Sequence, residues 1–147
     1  MTAFVTAGAG FLLAVLWFDL MFDVQIRRGD DRDAAVASIA AYYRRVTLEA
    51  YPMNRLVAVV MLGSLAALVA QVADGDAPRA ASVGSLVLAL AAVGLAVGHT
   101  FRNGARLGSG RGTPDERAEL ARLMLRDHVV CLVAIAAVLV LQLGFAR

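Results

Sequence analysis

The chain has 147 residues, of which 60% are hydrophobic and only 18% are charged, and its mean hydropathy is +0.70. A soluble domain carries charge on roughly a quarter of its residues, so these figures exclude an ordinary water-soluble protein and indicate a membrane protein. The pI of about 9.2 would be compatible with a nucleic-acid partner. Nucleic acid is excluded as a partner because all 14 basic residues are arginine and twelve of them lie in two segments between apolar runs, where a membrane topology explains them.

Four apolar segments are long enough to cross a bilayer. About 20 apolar residues are needed, because the hydrocarbon layer is roughly 30 Å thick and a helix rises about 1.5 Å per residue. Backbone polar groups in lipid must be hydrogen-bonded within the segment, so we expect helices. The predicted fold is an all-α membrane protein, a four-transmembrane-helix bundle that forms a single domain over residues 1–147, with spans at about 3–24, 54–73, 80–101 and 127–146.

The arginines predict how this bundle lies in the membrane. Six lie within residues 27–55 and six within residues 102–126, whereas the opposite side has only Arg79 and Arg147. Because cytoplasmic loops carry an excess of arginine, we expect a multi-pass protein of the cell membrane with both long loops in the cytoplasm and both termini outside. A cleaved signal peptide begins with positive charge. The first arginine here follows the first span, so we expect that span to be retained.

Both long loops are predicted to contain an amphipathic helix on the cytoplasmic side. Between residues 34 and 50, apolar side chains recur every three or four positions, which is typical of a helix lying on a membrane surface. In the second loop, Thr113, Pro114 and Glu116 form a helix start: a capping residue, a proline at the first position and a glutamate three residues after the threonine. The apolar face that begins there continues into the fourth span.

Small residues predict where the spanning helices pack closely. Gly94 and Gly98 share one face of the third span, and Gly63 and Ala67 share one face of the second. Such faces let two helix backbones approach each other. Since His99 follows Gly98, close packing there would carry the imidazole into the bundle.

The few ionisable residues inside the spans gather toward the cytoplasmic end. Asp19 and Asp23 lie one turn apart on one face of the first helix. His99 is near the end of the third span, and Asp127 and His128 begin the fourth. A charged side chain at the centre of a span costs at least about 2.5 to 3.5 kcal/mol, so each such residue is a functional hypothesis by default. We therefore predict a polar pocket that opens to the cytoplasm.

The residues of this pocket indicate acid–base chemistry. A histidine oriented by a carboxylate is suited to proton transfer near neutral pH. Two histidines and two aspartates would also suit a metal, and the histidines a haem, but the spacing identifies neither, so metal and cofactor stay open. The candidate catalytic residues are His128, Asp127, His99, Asp19 and Asp23. The candidate substrate-binding residues are Trp17, Asn54, Arg55, Asn103 and Arg126.

Each of these residues also has a structural interpretation. The two aspartates of the first span could neutralise Arg55 or Arg126 and fix helix contacts. Either histidine could be an interfacial residue without a chemical role. Cys131 is more typical of a small apolar filler than of a nucleophile. The aromatic residues at this end are typical of a membrane belt and could equally line the pocket: Trp17, Phe18, Tyr42, Tyr43 and Tyr51.

The plan of the whole chain resembles a known family. The matching residues are Tyr43-Arg44-Arg45, the segment 103–107, Arg122 and His128. Together with four spans in 147 residues, they are similar to the anthrone oxygenase-like family of small membrane proteins. The resemblance implies a cofactor-independent oxygenase reaction on an aromatic polyketide-like substrate.

Three classes of function follow from these observations. The favoured one is a membrane oxidoreductase of the oxygenase type, whose pocket deprotonates an apolar aromatic or lipid-like substrate that arrives from the bilayer. The second is a proton- or cation-coupled transporter acting as a homo-oligomer. It is disfavoured because the outer half of the spans has few polar residues, mainly Gln71, Ser82, Ser85 and Gln142. The third is a structural or partner-binding subunit in which the acids are paired and nothing turns over.

Overall fold

The computed structural model describes residues 1–28, 31–50, 52–75 and 77–145, apart from the side chains of residues 28, 48, 53 and 54. Within these ranges every element is helical. Seven α-helices follow in chain order: α1 (Thr2–Asp23), α2 (Gln25–Arg28), α3 (Arg32–Tyr43), α4 (Met53–Asp74), α5 (Arg79–Leu95), α6 (Phe101–Gly108) and α7 (Pro114–Phe145). A first π-helical turn, Arg44–Glu49, continues α3, and a second, Ala96–Thr100, joins α5 to α6.

Four helical stretches are long and apolar enough to cross a membrane, which confirms the predicted four-transmembrane-helix fold. They are Thr2–Arg27, Arg55–Asp74, Arg79–Gly108 and Pro114–Phe145. The last has 32 residues and is therefore about 48 Å long, which exceeds the roughly 30 Å hydrocarbon layer. Its first turns carry Asp115 and Glu116 and lie at the end of the bundle that carries residues 25–28, 31–50, 52–55 and 101–126. We call this the Arg-rich end and the opposite one the far end.

The four spanning helices form a square in which each helix contacts two neighbours. α1 and α5 both pack against α4 and α7, whereas in the diagonal pairs, α1 with α5 and α4 with α7, no two Cα atoms of the described residues lie within 8 Å. At Gly8 the backbone of α1 comes so near α4 that an added Cβ would lie 2.1 Å from Ser64 Oγ. The shared core is apolar and includes Val5, Leu12, Leu68, Ala89, Ile135 and Val138.

The predicted small-residue faces are used only in part. Gly63 lies against the ring of Phe4, and Ala67 is buried, so this face of α4 packs as predicted. Gly94 and Gly98 are exposed, and a Cβ at either position would meet nothing within 4 Å. The prediction of close packing on the third span is therefore wrong, because that face of the helix points away from the bundle.

A second, smaller core lies at the Arg-rich end. It joins α3, α6 and the first turns of α7, and its buried residues include Ile39, Tyr43, Leu107, Ala121 and Met124. α6 can cross the chain at Arg44 because Gly108 has no side chain: a Cβ there would lie 2.8 Å from the backbone nitrogen of Arg44. This layer brings Tyr42 and Tyr43, at the end of α3, into contact with residues of α1 and α7.

Both amphipathic loop helices are present. The predicted helix over residues 34–50 corresponds to α3 and the first π-helical turn. The start of α7 shows the predicted capping arrangement: the backbone N–H of Thr113 donates to Glu116 Oε2 at 2.8 Å, and the backbone N–H of Glu116 donates to Thr113 Oγ1 at 3.2 Å. The local sequence signal was sufficient here because both partners lie within one turn.

α4 is less deeply buried in its N-terminal half than in its C-terminal half, although Val57, Val60 and Met61 still pack against the core. Its buried residues, Ser64, Ala67, Leu68 and Gln71, all lie in its C-terminal half, toward the far end. None of residues 55–63 is buried. At the Arg-rich end a cleft lies between Arg55, Val57 and Ala58 of α4 and the neighbouring helices, and the candidate site lies on its wall.

Candidate functional site

Asp23, Tyr43 and His128 form a closed hydrogen-bonded cluster at the Arg-rich end. Asp23 is the last residue of α1, and its side chain is fully buried. It accepts a hydrogen bond from the Tyr43 hydroxyl at 2.8 Å, and its other oxygen lies 2.6 Å from His128 Nδ1. When Asp23 is ionised, the N–H group at His128 Nδ1 donates this hydrogen bond to the carboxylate. If the imidazole is neutral, its Nε2 then has no proton and is a hydrogen-bond acceptor.

Asp19 lies one turn before Asp23, where the cluster meets the cleft. The Tyr42 hydroxyl donates to Asp19 Oδ1 at 2.6 Å. The second oxygen, Oδ2, lies 3.9 Å from His128 Nε2, which is too far for a hydrogen bond. The Asp19 side chain is 15% exposed, against 0% for Asp23. Asp19 and His128 therefore form the accessible edge of an otherwise sealed cluster.

Stacking and burial fix the two tyrosines as hydrogen-bond donors. The ring of Phe22 stacks on Tyr42 with centroids 4.1 Å apart, and Tyr42 meets Tyr43 edge to face. Burial, followed by the negative charge of Asp19, raises the pKa of the Tyr42 hydroxyl. Burial, followed by the negative charge of Asp23, raises the pKa of the Tyr43 hydroxyl. Both hydroxyls thus keep their protons at neutral pH and above it.

His99 and Asp127 form a second cluster, around the second π-helical turn. His99 Nδ1 makes a short hydrogen bond with Asp127 Oδ2. Asp127 also accepts hydrogen bonds from Thr100 Oγ1 at 3.4 Å and from Arg126 at 3.2 Å. The amide nitrogen of Asn103 lies 3.0 Å from His99 Nε2. Asp127 is buried, whereas the His99 side chain is 37% exposed, so this cluster joins a buried carboxylate to the surface.

The cleft beside the first cluster has a volume of about 450 Å³. Its walls come from α1, α3 and the turn after it, α4, α6 and α7, and its lining includes Asp19, Arg55, Val57, Ala58, Phe101 and His128. A narrower chamber of about 80 Å³ continues from it into the bundle and is lined mainly by apolar residues. Asp19 and His128 line both spaces. The cleft is thus an apolar space with one polar edge.

The structure brings the candidate catalytic residues together in two clusters. The first holds Asp19, Asp23 and His128, and the second holds His99 and Asp127. Of the candidate substrate-binding residues, Arg55 lines the cleft, and Asn103 and Arg126 belong to the second cluster. Trp17 is 62% exposed on the outer surface and joins neither cluster. The side chain of Asn54 lies outside the described residues.

The hydroxyls of Tyr42 and Tyr43 donate hydrogen bonds to Asp19 and Asp23 of α1. These partners were not predicted from the sequence. Arg126, one of the expected partners, pairs with the neighbouring Asp127 instead. A signal for Tyr43 was present: it lies on the apolar face of α3, and a buried tyrosine hydroxyl nearly always finds a hydrogen-bond partner. Thr100 has no comparable signal, because a threonine inside an apolar span reads as a packing residue until its neighbour on another helix is known.

The two clusters offer hydrogen bonding, charge pairing and two imidazoles, each oriented by a carboxylate, that are able to transfer protons. Within the described part of the chain, no group of three or more His, Cys, Asp or Glu side chains is placed to hold a metal ion. Cys131 is buried, and its thiol faces the backbone carbonyl of Ala92 at 3.7 Å. The first cluster joins α1, α3 and α7, and the second joins the second π-helical turn and α6 to α7. The first presents one carboxylate and one imidazole to the cleft.

One protein family matches nearly the whole chain. The family model described as SHR3_chaperone, ER membrane protein SH3, matches residues 1–146. No curated protein and no solved structure matches the chain. The matched range contains all four spanning helices, both polar clusters and the cleft.

This match corrects the expectations drawn from the anthrone oxygenase-like resemblance. The chain is matched by a different family, so the oxygenase reaction, the oxidoreductase class and the apolar small-molecule substrate are wrong. The resemblance depended on short motifs. In the structure, two residues of these motifs make hydrogen bonds within the fold, Tyr43 with Asp23 and Asn103 with His99. The expected location in the cell membrane is corrected as well, because the matched family is described as one of the ER membrane, whereas the multi-pass character is confirmed.

Proposed function

Because the chain belongs to the SHR3 chaperone family of ER membrane proteins, we propose that it is a membrane-embedded chaperone that binds the spanning segments of other membrane proteins. This is the partner-binding class of function that the sequence left open. The observation that carries the proposal is the cleft between the N-terminal half of α4 and the rest of the bundle. We place the Arg-rich end in the cytoplasm, following the arginine distribution, so that the cleft lies at the cytoplasmic level of the bilayer.

The lining of the cleft is suited to a helix as a partner. Apolar helices gain little by leaving lipid for a protein surface, so their association depends on close packing and on a few polar contacts. Small residues allow such packing, and Ala58, Gly104 and Ala105 all line the cleft. Val57 and Phe101 supply larger apolar contacts beside them. A client helix laid along the N-terminal half of α4 would complete the packing that this half lacks.

The buried charges support binding in place of turnover. Asp23 and Asp127 are both buried, and each accepts hydrogen bonds from partners on other helices. Pairs of this kind fix the relative position of helices, since removing one partner leaves an uncompensated charge in a place that water does not reach. The two clusters would thus fix the positions of the helices that line the cleft when no client is bound.

Transport has less support than client binding. On α7, His128 and Gln142 lie fourteen residues apart, which is about 21 Å along the helix. Between them the buried residues of α7 are Cys131, Ile135 and Val138, none of which is charged. A path for protons or cations would need polar groups at this level.

Site-specific photo-crosslinking in the native membrane tests the proposal. A photoreactive residue at Val57, in the cleft, should form covalent adducts with a defined set of multi-pass membrane proteins. The same residue at Val133, which is exposed on the outer face of α7, should form few such adducts. Depleting the protein should lower the folded amount of the same clients, measured by protease resistance.

A matched pair of tryptophan variants provides the control. Ala58→Trp fills the cleft and should abolish both the adducts and the restoration of client folding. Ala66→Trp adds the same side chain to an exposed position of the same helix outside the cleft and should leave both unchanged. Equal adduct yields at Val57 and Val133, or client folding that is indifferent to Ala58→Trp, would refute a cleft-dependent chaperone.

A further inference from the structure

The polar edge of the cleft has hydrogen-bonding capacity that the bundle does not use. Asp19 Oδ1 is occupied by the Tyr42 hydroxyl, whereas Asp19 Oδ2 and His128 Nε2 lie 3.9 Å apart. When the imidazole is neutral, both of these atoms are acceptors and cannot satisfy each other. Within the described residues neither atom has a hydrogen-bond partner, and both side chains line the cleft. A donor entering the cleft could contact both.

The charge of this edge selects the kind of donor. When both carboxyls are ionised, Asp19 and Asp23 contribute two negative charges and His128 contributes at most one positive charge, so the group is then negative whichever protonation state the imidazole adopts. The tyrosines that complete the cluster are neutral. The nearby carboxylate of Asp127 does not add to the imbalance, because Arg126 and His99 accompany it. A cationic donor therefore fits the edge better than a neutral one.

We infer that Asp19 and His128 bind the ammonium or guanidinium group of a lysine or arginine at the cytoplasmic end of a client's spanning helix, an inference that rests on the proposed function. Spanning helices are commonly flanked by lysine or arginine on the cytoplasmic side, which is the level of the cleft in the proposed orientation. The long stems of these side chains lie along apolar surfaces while their charged ends reach a polar group. Val15, Val57 and Phe101 form such a surface beside Asp19.

Model helices test the inference on the full chain. The purified protein is placed in phosphatidylcholine nanodiscs and titrated with two fluorescent leucine–alanine helices, which are identical except for lysine or glutamine at the cytoplasmic end. We expect the lysine helix to bind about ten- to a hundredfold more tightly, as for a hydrogen bond to a charged group. Asp19→Asn should abolish this preference, and Asp33→Asn on the exposed face of α3 should keep it.

The outcomes separate the cation site from the chaperone proposal. Equal binding of the two helices to the unmodified protein overturns the cation site and leaves the chaperone proposal standing, and this comparison needs no variant to fold. Binding of neither helix contradicts both proposals. If the preference for lysine disappears when phosphatidylethanolamine replaces phosphatidylcholine, the edge binds a lipid amine and the assignment to a client side chain is overturned.

Discussion

The two ends of the bundle bury polar groups in different ways. At the Arg-rich end the buried carboxylates of Asp23 and Asp127 each have at least two hydrogen-bonding partners. At the far end the buried side chain of Gln142 donates to Ser85 Oγ at 3.0 Å, but its amide oxygen has no partner among the described residues, and the amide oxygen of Gln71 is in the same state. The two buried carboxylates are satisfied, whereas the glutamines are satisfied only in part, and at the Arg-rich end the buried Nε of Arg117 also has no partner among the described residues.

The difference follows from what an unpaired group costs. Burying an ionised side chain without a partner is far more expensive than burying a neutral amide, whose cost is a few kcal/mol at most in proteins, on the order of 1 to 3. Hydrogen bonds between spanning helices contribute about 0.6 kcal/mol on average, so a half-satisfied glutamine is tolerable. The Arg-rich end should therefore dominate the stability of the fold, and the far end should contribute little.

The largest effect is expected from Asp23→Leu. This change leaves the Tyr43 hydroxyl and His128 Nδ1 without their shared acceptor in a buried place, which should lower the free energy of unfolding by about 3 to 5 kcal/mol. Unfolding in mixed detergent micelles with increasing SDS measures the loss. Asp23→Asn, which keeps an acceptor oxygen and the side-chain volume, should cost about 1 to 2 kcal/mol. Equal losses for the two variants would show that charge and hydrogen bonding are not what Asp23 supplies.

A smaller effect is expected from the tyrosines, and it should differ between them. Tyr43→Phe removes a donor from the fully buried Asp23 and should cost about 1 to 3 kcal/mol. Tyr42→Phe removes a donor from Asp19, which is partly accessible, so water can replace it and the cost should be below about 1 kcal/mol. The same SDS titration compares the two variants. A larger loss for Tyr42→Phe would mean that the Asp19 edge, and not Asp23, anchors the network.

The smallest effect is expected at the far end. Ser85→Ala removes the hydrogen-bond partner of Gln142 and should cost about 0.6 kcal/mol. The double variant Ser85→Ala with Gln142→Leu removes both polar groups and should be at least as stable as the unmodified protein, because no unpaired amide is left behind. Thermal unfolding in detergent measures both. A loss above about 2 kcal/mol in the double variant would show that the far end has a structural polar network of its own.

The parts of the fold that were predicted from the sequence depend on local patterns. Apolar runs of sufficient length gave the four spanning helices, and the Thr113 and Glu116 pair gave the start of α7, because each signal is complete within one helix or one turn. The face shared by Asp19 and Asp23 was also predicted, since helical periodicity alone places residues four apart on one side. The predicted close packing at Gly94 and Gly98 was wrong, because a pattern of small residues does not identify the helix against which that face would pack.

The partners of the buried acids could not be predicted in the same way. His128 reaches Asp23 across 105 positions of the chain, and Tyr43 reaches Asp23 across 20. Such contacts depend on how helices α1, α3 and α7 cross one another, which no single segment encodes. Arginine was the expected partner because an ionised carboxylate commonly pairs with a cation. The packing of α3 instead places the hydroxyls of Tyr42 and Tyr43 within hydrogen-bonding distance of the two aspartates.

The sequence by itself determined that the chain crosses the membrane four times and that its ionisable spanning residues gather at one end, because length, hydropathy and charge are properties of segments. The tertiary structure alone decided that Asp23 is sealed while Asp19 and His128 face a cleft, and that the cleft exists at all. The cleft lies between the N-terminal half of α4 and the neighbouring helices, and its width depends on every contact that sets the positions of those helices.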